Sequence, residues 1–309
     1  MSSLLATLAI ATGSMAAEQG ALEATANNVA NVNTLGYSRK EPVFAENPPV
    51  VLGRLTLGTG VSLEKLESVR DPVLQLRIQE ETGQQGLLDA LASGMKQVQT
   101  LFTLQDGDIG SQVSSLFASI SQLSTDPSSL PLRQGVLTAA ANLASAFRNT
   151  ASNLEAQRSN LDLSVSQAVQ QVNTLTQQIA GLNGQITSLE NLHQDASAFI
   201  DQRDVLINRL SGLVDVSEIR SDSGITLTTS NGTALVAATH SFSLATQADV
   251  SGVQHIFAQG NDITSQLNSG QLGGLLEVRD QKIPALLTGL DALSAGLANG
   301  FQQRQRCRF

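Results

Sequence analysis

The chain has 309 residues, a formal net charge of −9 and a pI near 4.8, which argues against a nucleic-acid binder, whose footprint is a basic patch. Charged residues make up only 15%, too few for a disordered acidic tail. Aromatic residues make up 3% and Trp is absent, which favours thin helix-on-helix packing over a thick globular core.

Neither a membrane span nor a cleaved leader is predicted. No apolar run reaches the ~18–20 residues that cross a bilayer. The stretch from Leu4 to Ala17 is uncharged, but no Lys or Arg precedes Arg39, whereas a Sec signal peptide begins with positive charge. The single cysteine, Cys307, excludes an intrachain disulfide and a cysteine-based metal site.

Residues 1–33 are predicted to form an amphipathic helix. Leu8, Met15, Leu22 and Val29 recur every seventh residue, a narrow stripe typical of a helix that needs a partner helix. The asparagines that follow weaken the helix, because their side chains compete for backbone hydrogen bonds, and a glycine then offers a stop.

The next segments alternate between extended and helical patterns. Three prolines and three glycines make residues 42–66 irregular, with Val50–Leu52 and Leu55–Leu57 as possible strands of a small hairpin. A second helix is predicted over 71–104, with lower continuity at its glycines, and a third over 109–124.

A helix resumes near Leu130 and is predicted to continue, with interruptions, to Leu192. Its second half carries apolar residues in alternating steps of four and three, the 3.5-residue period of a coiled coil over 154–192. The predicted seam consists of Leu161, Val165, Ala168, Val172, Leu175, Ile179, Leu182, Ile186 and Leu189.

After a short helix over 196–212, the hydrophobic period changes from that of a helix to that of a strand. Residues 214–268 are predicted to form a small β-domain. Asn231-Gly232 lies between two β-like runs, and this pair predicts a hairpin turn in which both residues have φ > 0. A return helix follows over 269–301.

No catalytic, cofactor-binding or metal-binding residues are predicted, so the chain is not expected to be an enzyme. The histidines, His193, His240 and His255, lack the i, i+3 or i, i+4 spacing of metal ligands. The segment from Gly58 begins like a phosphate-binding glycine loop but has no matching last glycine or strand–helix context. Asp201, Arg203 and Asp204 are interpreted as a local ion pair.

One segment carries a specific resemblance. Ala26-Asn27-Asn28-Val29-Ala30-Asn31-Val32-Asn33-Thr34-Leu35-Gly36-Tyr37-Ser38-Arg39 resembles the signature shared by flagellar rod, hook and hook-associated proteins. The resemblance implies an assembly motif made of Asn27, Asn28, Ala30, Asn31, Thr34, Gly36, Tyr37 and Arg39. An ordinary helix C-terminus is the alternative interpretation.

Later segments narrow the resemblance to the hook-associated protein 1 family. Leu123–Pro127 followed by Arg133, the run Ile200–Ile207, and Gly270–Asp280 followed by Ile283-Pro284 are each similar to that family. They stand in the family's order, around the coiled coil and the β segment. The resemblance covers about residues 1–301.

The resemblance implies a structural subunit at the hook–filament junction, exported by the flagellar type III apparatus without a cleaved signal peptide and located outside the cell. It implies contacts with other copies of the chain in a ring, the hook protein, hook-associated protein 3, and the export machinery with its chaperone. Members of the family pair their N- and C-terminal helices, which agrees with a first helix that needs a partner.

The chain departs from the family at its end. Related chains continue for some two hundred residues, whereas residues 302–309 concentrate three arginines and the only cysteine. We interpret this tail as non-native, with a truncation or a frameshift as the hypothesis, and assembly without the C-terminal helix as an open question.

The resulting prediction is a mainly α, elongated helical bundle or coiled coil with a small inserted β-domain. The predicted domains are an axial helix and export segment (1–40), a helical rod (41–213), the β-domain (214–268), the return helix (269–301) and the tail (302–309). Two alternatives stay open, another flagellar rod or hook protein, and a non-flagellar coiled-coil scaffold.

Overall fold

The structure is a computed structural model, and it describes residues 2–52, 54–102, 108–192, 194–221 and 224–306. Cys307 and His193 therefore lie outside the described residues, as do residues 103–104 of the predicted second helix. The α-helices are α1 (Ser2–Ala30), α2 (Pro72–Thr100), α3 (Ile109–Thr125), α4 (Leu130–Asn191), α5 (Ser197–Leu213), α6 (Gly270–Glu277) and α7 (Ile283–Arg306).

The mainly α prediction is confirmed, and the helices are more continuous than expected. α4 runs for 62 residues, so the predicted interruptions are wrong. α2 likewise passes through its glycines without a break. One of them, Gly94, marks close packing, because a Cβ there would lie 3.0 Å from Val278 Cγ2. Glycine in this position permits a close helix contact rather than ending the helix.

An antiparallel hairpin follows α1. Its strands are β1 (Lys40–Glu46), β2 (Val50–Leu52), β3 (Leu55–Leu57) and β4 (Val61–Ser68). β1 pairs with β4 from Lys40 opposite Ser68 to Glu46 opposite Val61, and β2 pairs with β3 at the tip. The predicted small hairpin at 50–57 is therefore confirmed, and it extends a longer two-stranded ribbon.

The strands of segment 214–268 form two separate sheets. One sheet has the order β5 (Ser217–Ser221), β6 (Gly224–Thr228), β7 (Ala234–Ala237) and β8 (His240–Ser241). The other has the order β11 (Asn261–Asp262), β10 (Gln254–Ala258) and β9 (Leu244–Ala248). All neighbouring strands are antiparallel, as short connections between them require.

The turn at Asn231-Gly232 differs from its prediction. It connects β6 to β7 as expected, but only Gly232 has a positive φ, at 85°. The turn is closed by Gly232 N–H donating to Thr229 O (2.9 Å) and Thr229 N–H donating to Thr233 O (2.8 Å). The loop is therefore longer than a two-residue turn, and one left-handed residue closes it.

The chain forms two compact units. The first comprises Met1–Thr82 and Val172–Ser243 and contains the β5–β8 sheet. Its apolar residues that are 0% exposed are Ile179, Ile207, Leu210, Val214, Leu227, Leu235 and Val236. The second comprises Gly83–Gln171 and Leu244–Phe309 and contains the β9–β11 sheet. Its core residues, also 0% exposed, are Leu154, Val165, Ile256, Leu272, Val278 and Ile283.

The return helix is not uniform. α6 passes into a π-helical turn at Val278–Lys282 and then into α7. α7 runs into the predicted tail as far as Arg306, where the described residues end. Among the described helices, none combines the length and apolarity needed to cross a bilayer.

Candidate assembly site

The predicted assembly motif lies where α1 ends and the chain turns into β1. Asn28 holds this turn, because its side-chain amide bonds both backbone groups of one residue. Asn28 Nδ2 donates to Lys40 O (2.8 Å) and Lys40 N–H donates to Asn28 Oδ1 (2.9 Å). Tyr37 Oη donates to the same Oδ1 (2.9 Å). The side chain therefore acts like one further residue of a strand.

Three more motif residues form a hydrogen-bonded chain along the helix end. Asn31 Nδ2 donates to Asn27 O (3.0 Å) and Asn27 Oδ1 (2.8 Å), and Thr34 Oγ1 donates to Asn31 Oδ1 (3.1 Å). Ala30 is the last residue of α1 and is exposed. Arg39 is also exposed and pairs with Glu41 at 2.7 Å. These interactions satisfy groups that a helix end leaves open.

Gly36 is required by both conformation and space. Its φ is +81°, which non-glycine residues adopt at a cost. A Cβ at this position would overlap Val205 Cγ2 on α5 and lie 3.5 Å from Val205 Cβ. The motif turn therefore lies directly against α5.

A buried charge cluster joins the same region to α5. Arg70, just after β4, forms ion pairs with both Asp201 and Asp204. Asp201 Oδ1 also accepts a 2.5 Å hydrogen bond from Ser38 Oγ. The side chains of Asp201 and Asp204 are only 11% and 8% exposed. Asp201 was predicted to pair locally, whereas its principal partner is 131 residues away in sequence.

The third charged residue of this run, Arg203, binds in another direction. Its Nη1 donates to Oδ1 of Asn183 at 3.1 Å, and the nearest oxygen of Asp204 is 3.8 Å from its Nε. Asn183 Nδ2 in turn donates to Ile225 O (2.9 Å) and Ala238 O (2.7 Å). Burial lowers the pKa of Arg203 to about 10.

Tyr37 and Lys40 complete the site. Lys40 is buried, and its Nζ lies 5.8 Å from the centroid of the Tyr37 ring, within cation–π range. Burial, and secondarily the negative charge of Asp201, raise the pKa of the Tyr37 hydroxyl above its usual value. Tyr37 is the only tyrosine in a chain without tryptophan.

The predicted apolar stripe of α1 is exposed to solvent. Leu8, Met15, Leu22 and Val29 are 60%, 73%, 69% and 69% exposed. The opposite face, which was not predicted, is made of small residues. Ala17 and Ala24 are buried, and a Cβ at Gly20 would lie 2.8 Å from Leu63 Cδ2 of β4. α1 therefore packs its small-residue face on the hairpin and leaves its large-residue face uncovered.

The predicted seam of α4 faces inward. Leu161, Val165, Ala168, Val172, Ile179 and Ile186 are buried, and Leu175, Leu182 and Leu189 are half-buried. Leu163, outside the seam, is 65% exposed. The period therefore marks the buried side of the helix. Whether this side forms a coiled coil stays a prediction.

The run Gly270–Asp280 in the second unit makes close packing and hydrogen-bond contacts with neighbouring elements. Gly274 lies so close to α2 that a Cβ would overlap Leu87 O and come within 2.8 Å of Ala90 Cβ. Arg279 is 1% exposed and donates to Asp162 Oδ1 and Gln254 O, both at 2.7 Å. This run thus ties α6 and the π-helical turn to α2, α4 and β10.

The described residues contain no group of three or more His, Cys, Asp or Glu placed to hold a metal ion. His255 Nδ1 lies 2.7 Å from Asp262 Oδ2, within the β9–β11 sheet. Its Nε2 lies 3.7 Å from Asp249 Oδ2. His240 is exposed in β8, where its Nδ1 lies 3.3 Å from Thr239 Oγ1. These contacts are local ones that stabilise turns and strand ends.

Two family models match the chain. The model described as the flagellar hook-associated protein FlgK helical domain matches residues 95–307. A model described as flagella basal body rod protein matches residues 8–37, which include most of the assembly motif.

Relatives and one solved structure agree with these matches. Flagellar hook-associated protein 1 of Bacillus subtilis is 30% identical over 234 residues, covering 72% of this chain and 46% of that protein. The Escherichia coli protein of the same name is 26% identical over 304 residues, covering 95% and 56%. The chain thus spans about half the length of these relatives. The flagellar hook junction protein FlgK from Burkholderia pseudomallei matches with a TM-score of 0.57 and 26% identity, covering 66% of this chain and 39% of that one.

Proposed function

Because the chain belongs to the flagellar hook-associated protein FlgK family, we propose that it is a structural, non-enzymatic subunit that joins the hook to the filament of the bacterial flagellum. The observation that carries this proposal is the uncovered aliphatic stripe of α1 beside a rigidly held assembly motif. Large apolar side chains exposed along one face of a helix mark a surface that a partner covers.

The motif supports the stripe by fixing where α1 ends. The Asn28 clasp on Lys40 and the contact of Gly36 with α5 set the direction of the helix. The stripe is therefore presented in one orientation, as a repeating assembly requires. The partners that the family suggests are other copies of the chain in a ring, the hook protein and hook-associated protein 3.

The same family resemblance supports delivery by the flagellar type III apparatus with a chaperone, and a final location outside the cell. Another rod or hook protein is less well supported. The rod model ends at residue 37, in the segment that axial proteins share, whereas the hook-associated model extends from 95 to 307.

The test expresses a tagged chain in flagellated cells. Flagella are sheared from the cells, and the tag is localised by immunogold labelling. We expect label at the junction of hook and filament. In the variant Leu8→Gln/Met15→Gln/Leu22→Gln, the label should disappear from sheared flagella, because the stripe no longer offers apolar surface.

The matched control is Leu130→Gln/Leu137→Gln/Leu163→Gln, which changes three equally exposed leucines of α4 (77%, 64% and 65%). It should leave the label in place. Label spread along the filament, or a stripe variant that assembles as well as the control, would contradict the proposal. Circular dichroism of both purified variants shows that their helices are intact.

A further inference from the structure

A cavity of about 770 Å³ lies at the assembly motif, between the motif turn and the facing sides of α4 and α5. All of its lining residues belong to the first compact unit. Packed protein interiors contain few voids larger than a water molecule. The volume of this cavity instead falls within the range of ligand sites, roughly 300–1,000 Å³.

The side chain of Lys40 lines this cavity and has no anionic partner there. Lys40 is 8% exposed, and its Nζ lies 5.8 Å from the centroid of the Tyr37 ring. Among the described residues, no carboxylate pairs with this Nζ and no group forms a hydrogen bond with it. Because Nζ is not enclosed by protein atoms, it is reached from the cavity. A lysine is rarely buried without a partner, since removing its charge from water is costly.

The carboxylate that also lines the cavity, that of Asp201, is already bound. It pairs with Arg70 and accepts a hydrogen bond of 2.5 Å from Ser38 Oγ. Arg70 pairs with Asp204 as well. Lys40 is thus a cation in a cavity without a carboxylate in direct contact. A carboxylate brought by a ligand would form charge-assisted hydrogen bonds with its ammonium group.

The structure holds Lys40 in place before any ligand binds. Asn28 bonds both backbone groups of Lys40, at 2.8 and 2.9 Å. The ring beside the ammonium is fixed too, because Tyr37 Oη donates to Asn28 Oδ1 (2.9 Å). A donor that is already ordered loses less conformational entropy on binding, which favours affinity.

The outer edge of the cavity is made of amide side chains. Gln178 and Gln185 on α4 and Gln202 on α5 line it, and we call these three residues the glutamine rim. All three are exposed, and within the described part of the chain none of their side chains is hydrogen-bonded. Gln178 and Gln185 lie on one face of α4, about 10 Å apart along its axis. An extended peptide covers that distance in about three residues, and amides can bond its backbone.

We propose that this cavity binds an acidic peptide segment, with a Glu or Asp carboxylate on the Lys40 ammonium and the flanking backbone on the glutamine rim. A carboxylate alone would fill only a small part of the cavity, whereas a short peptide matches both its volume and its amide edge. Because the chain carries a net charge of −9, its overall field repels such a peptide, and binding depends on the local site. This inference concerns the isolated chain and does not depend on the proposed function.

The test titrates the purified full chain with the peptide acetyl-Gly-Glu-Gly-amide by isothermal titration calorimetry. We expect saturable binding at one site. The peptide acetyl-Gly-Gln-Gly-amide has the same size without the charge. It should bind about 10–100-fold more weakly, because hydrogen bonds to a charged group are the stronger ones. Sodium acetate supplies the carboxylate without the backbone, and it should also bind at least about 10-fold more weakly.

Lys40→Met removes the charge and keeps the apolar stem, so it should weaken binding of the Glu peptide by about 10–100-fold. Lys40→Arg keeps the charge and should retain most of the binding. The matched control is Lys65→Met, which changes a lysine of β4 that is 57% exposed and paired with Glu67. It should leave the affinity unchanged. Circular dichroism shows that the helices of each variant are intact.

A second pair of variants tests the glutamine rim. Gln178→Ala should weaken binding of the Glu peptide by about 2–10-fold, the contribution of one neutral hydrogen bond. Gln177→Ala changes the neighbouring exposed glutamine, which does not line the cavity, and should have no effect.

Equal affinities for the Glu and Gln peptides, or an unchanged affinity in Lys40→Met, would overturn the assignment of Lys40. If Lys40→Met does not fold, the comparison of the two peptides on the parent chain decides the point. Acetate that binds as tightly as the Glu peptide would overturn the assignment of a peptide ligand. Absence of saturable binding to the parent chain would overturn the whole proposal.

Discussion

Replacing Gly36 by alanine should destabilise the motif turn in two ways, through the backbone conformation and through a steric overlap with Val205. The positive φ of +81° costs a non-glycine residue about 1–2 kcal/mol. The overlap of the new Cβ with Val205 Cγ2 adds about 1–3 kcal/mol, the usual cost of inserting a methyl group into a packed contact. Gly36→Ala should therefore lower the free energy of unfolding of the first unit by about 2–5 kcal/mol.

Gly232 provides the matched control, because its φ is +85° and a Cβ there would meet nothing within 4 Å. Gly232→Ala should cost only the conformational part, about 1–2 kcal/mol. Both glycines belong to the same compact unit, so the two substitutions act on one unfolding transition. The difference between the two costs isolates the contact of Gly36 with α5.

Val205→Ala should relieve this contact. In a double-mutant cycle, Gly36→Ala and Val205→Ala should show a coupling free energy of about 1–3 kcal/mol, because the shortened side chain makes room for the new methyl group. The assay is urea unfolding, monitored by circular dichroism and by the fluorescence of Tyr37. This residue is the only tyrosine in a sequence without tryptophan. Equal costs at Gly36 and Gly232, or a coupling near zero, would refute the close approach to α5.

Two further predictions use the same purified chain. Because the pKa of Tyr37 is raised in the folded state, its stabilising contribution is complete below pH ~10 and is lost as pH rises through the folded value. Tyrosinate absorbance should give a pKa of Tyr37 in the folded chain that is above its pKa in urea. Asp201→Asn should lower the folded-state pKa part of the way. A folded-state pKa equal to that of the unfolded chain would contradict the burial of the ring. Gly274→Ala should destabilise the second unit by about 1–3 kcal/mol through overlap with Leu87 O, whereas Gly289→Ala, with open space in α7, should stabilise it by about 0.5–1 kcal/mol. Thermal unfolding of the two variants measures both changes in stability. Equal changes in the two variants would show that the contact of α6 with α2 is loose.

Much of the helical architecture could be predicted because it depends on a period that is local in sequence. The α4 seam follows a repeat of seven, and burial of residues such as Val165 and Ile179 follows from it. The hairpin tip at Val50–Leu52 was also predictable, because glycines and prolines bound two short apolar runs. The continuity of α2 was not, since a glycine such as Gly94 has the same sequence signal whether it ends a helix or permits close packing.

The charged partners could not be predicted, because ion pairs between distant residues leave no periodic pattern. Asp201 has an arginine two residues away, yet it pairs with Arg70 from the hairpin end. The role of Asn28 was likewise hidden, since an asparagine near a helix end has several possible acceptors. The Asp201 pairing depends on the fold bringing the end of the hairpin to α5, and the Asn28 bonds depend on the turn at Gly36 bringing Lys40 back beside α1.

The small-residue face of α1 did leave a signal, which hydrophobicity alone does not reveal. Gly13, Ala17, Gly20 and Ala24 recur in steps of four, three and four, which is the same seven-residue period as that of the apolar stripe on the other side of the helix. Small residues allow a close approach of the hairpin, and they bury little apolar area. Most of the apolar area of α1 is therefore left to the exposed stripe.

This division between the two faces of α1 bears on how the proposed assembly is driven. Each large side chain of the stripe contributes about 1.5–3 kcal/mol when it passes from water into an apolar contact. Leu8, Met15, Leu22 and Val29 keep that contribution unused in the isolated chain, because packing on the hairpin uses the opposite face. The small residues of α1 therefore pack within the protomer, and the large residues of the stripe remain exposed for contact with a partner. A substitution on the stripe should consequently weaken assembly without weakening the fold, whereas a bulky residue at Gly20 should affect the fold first.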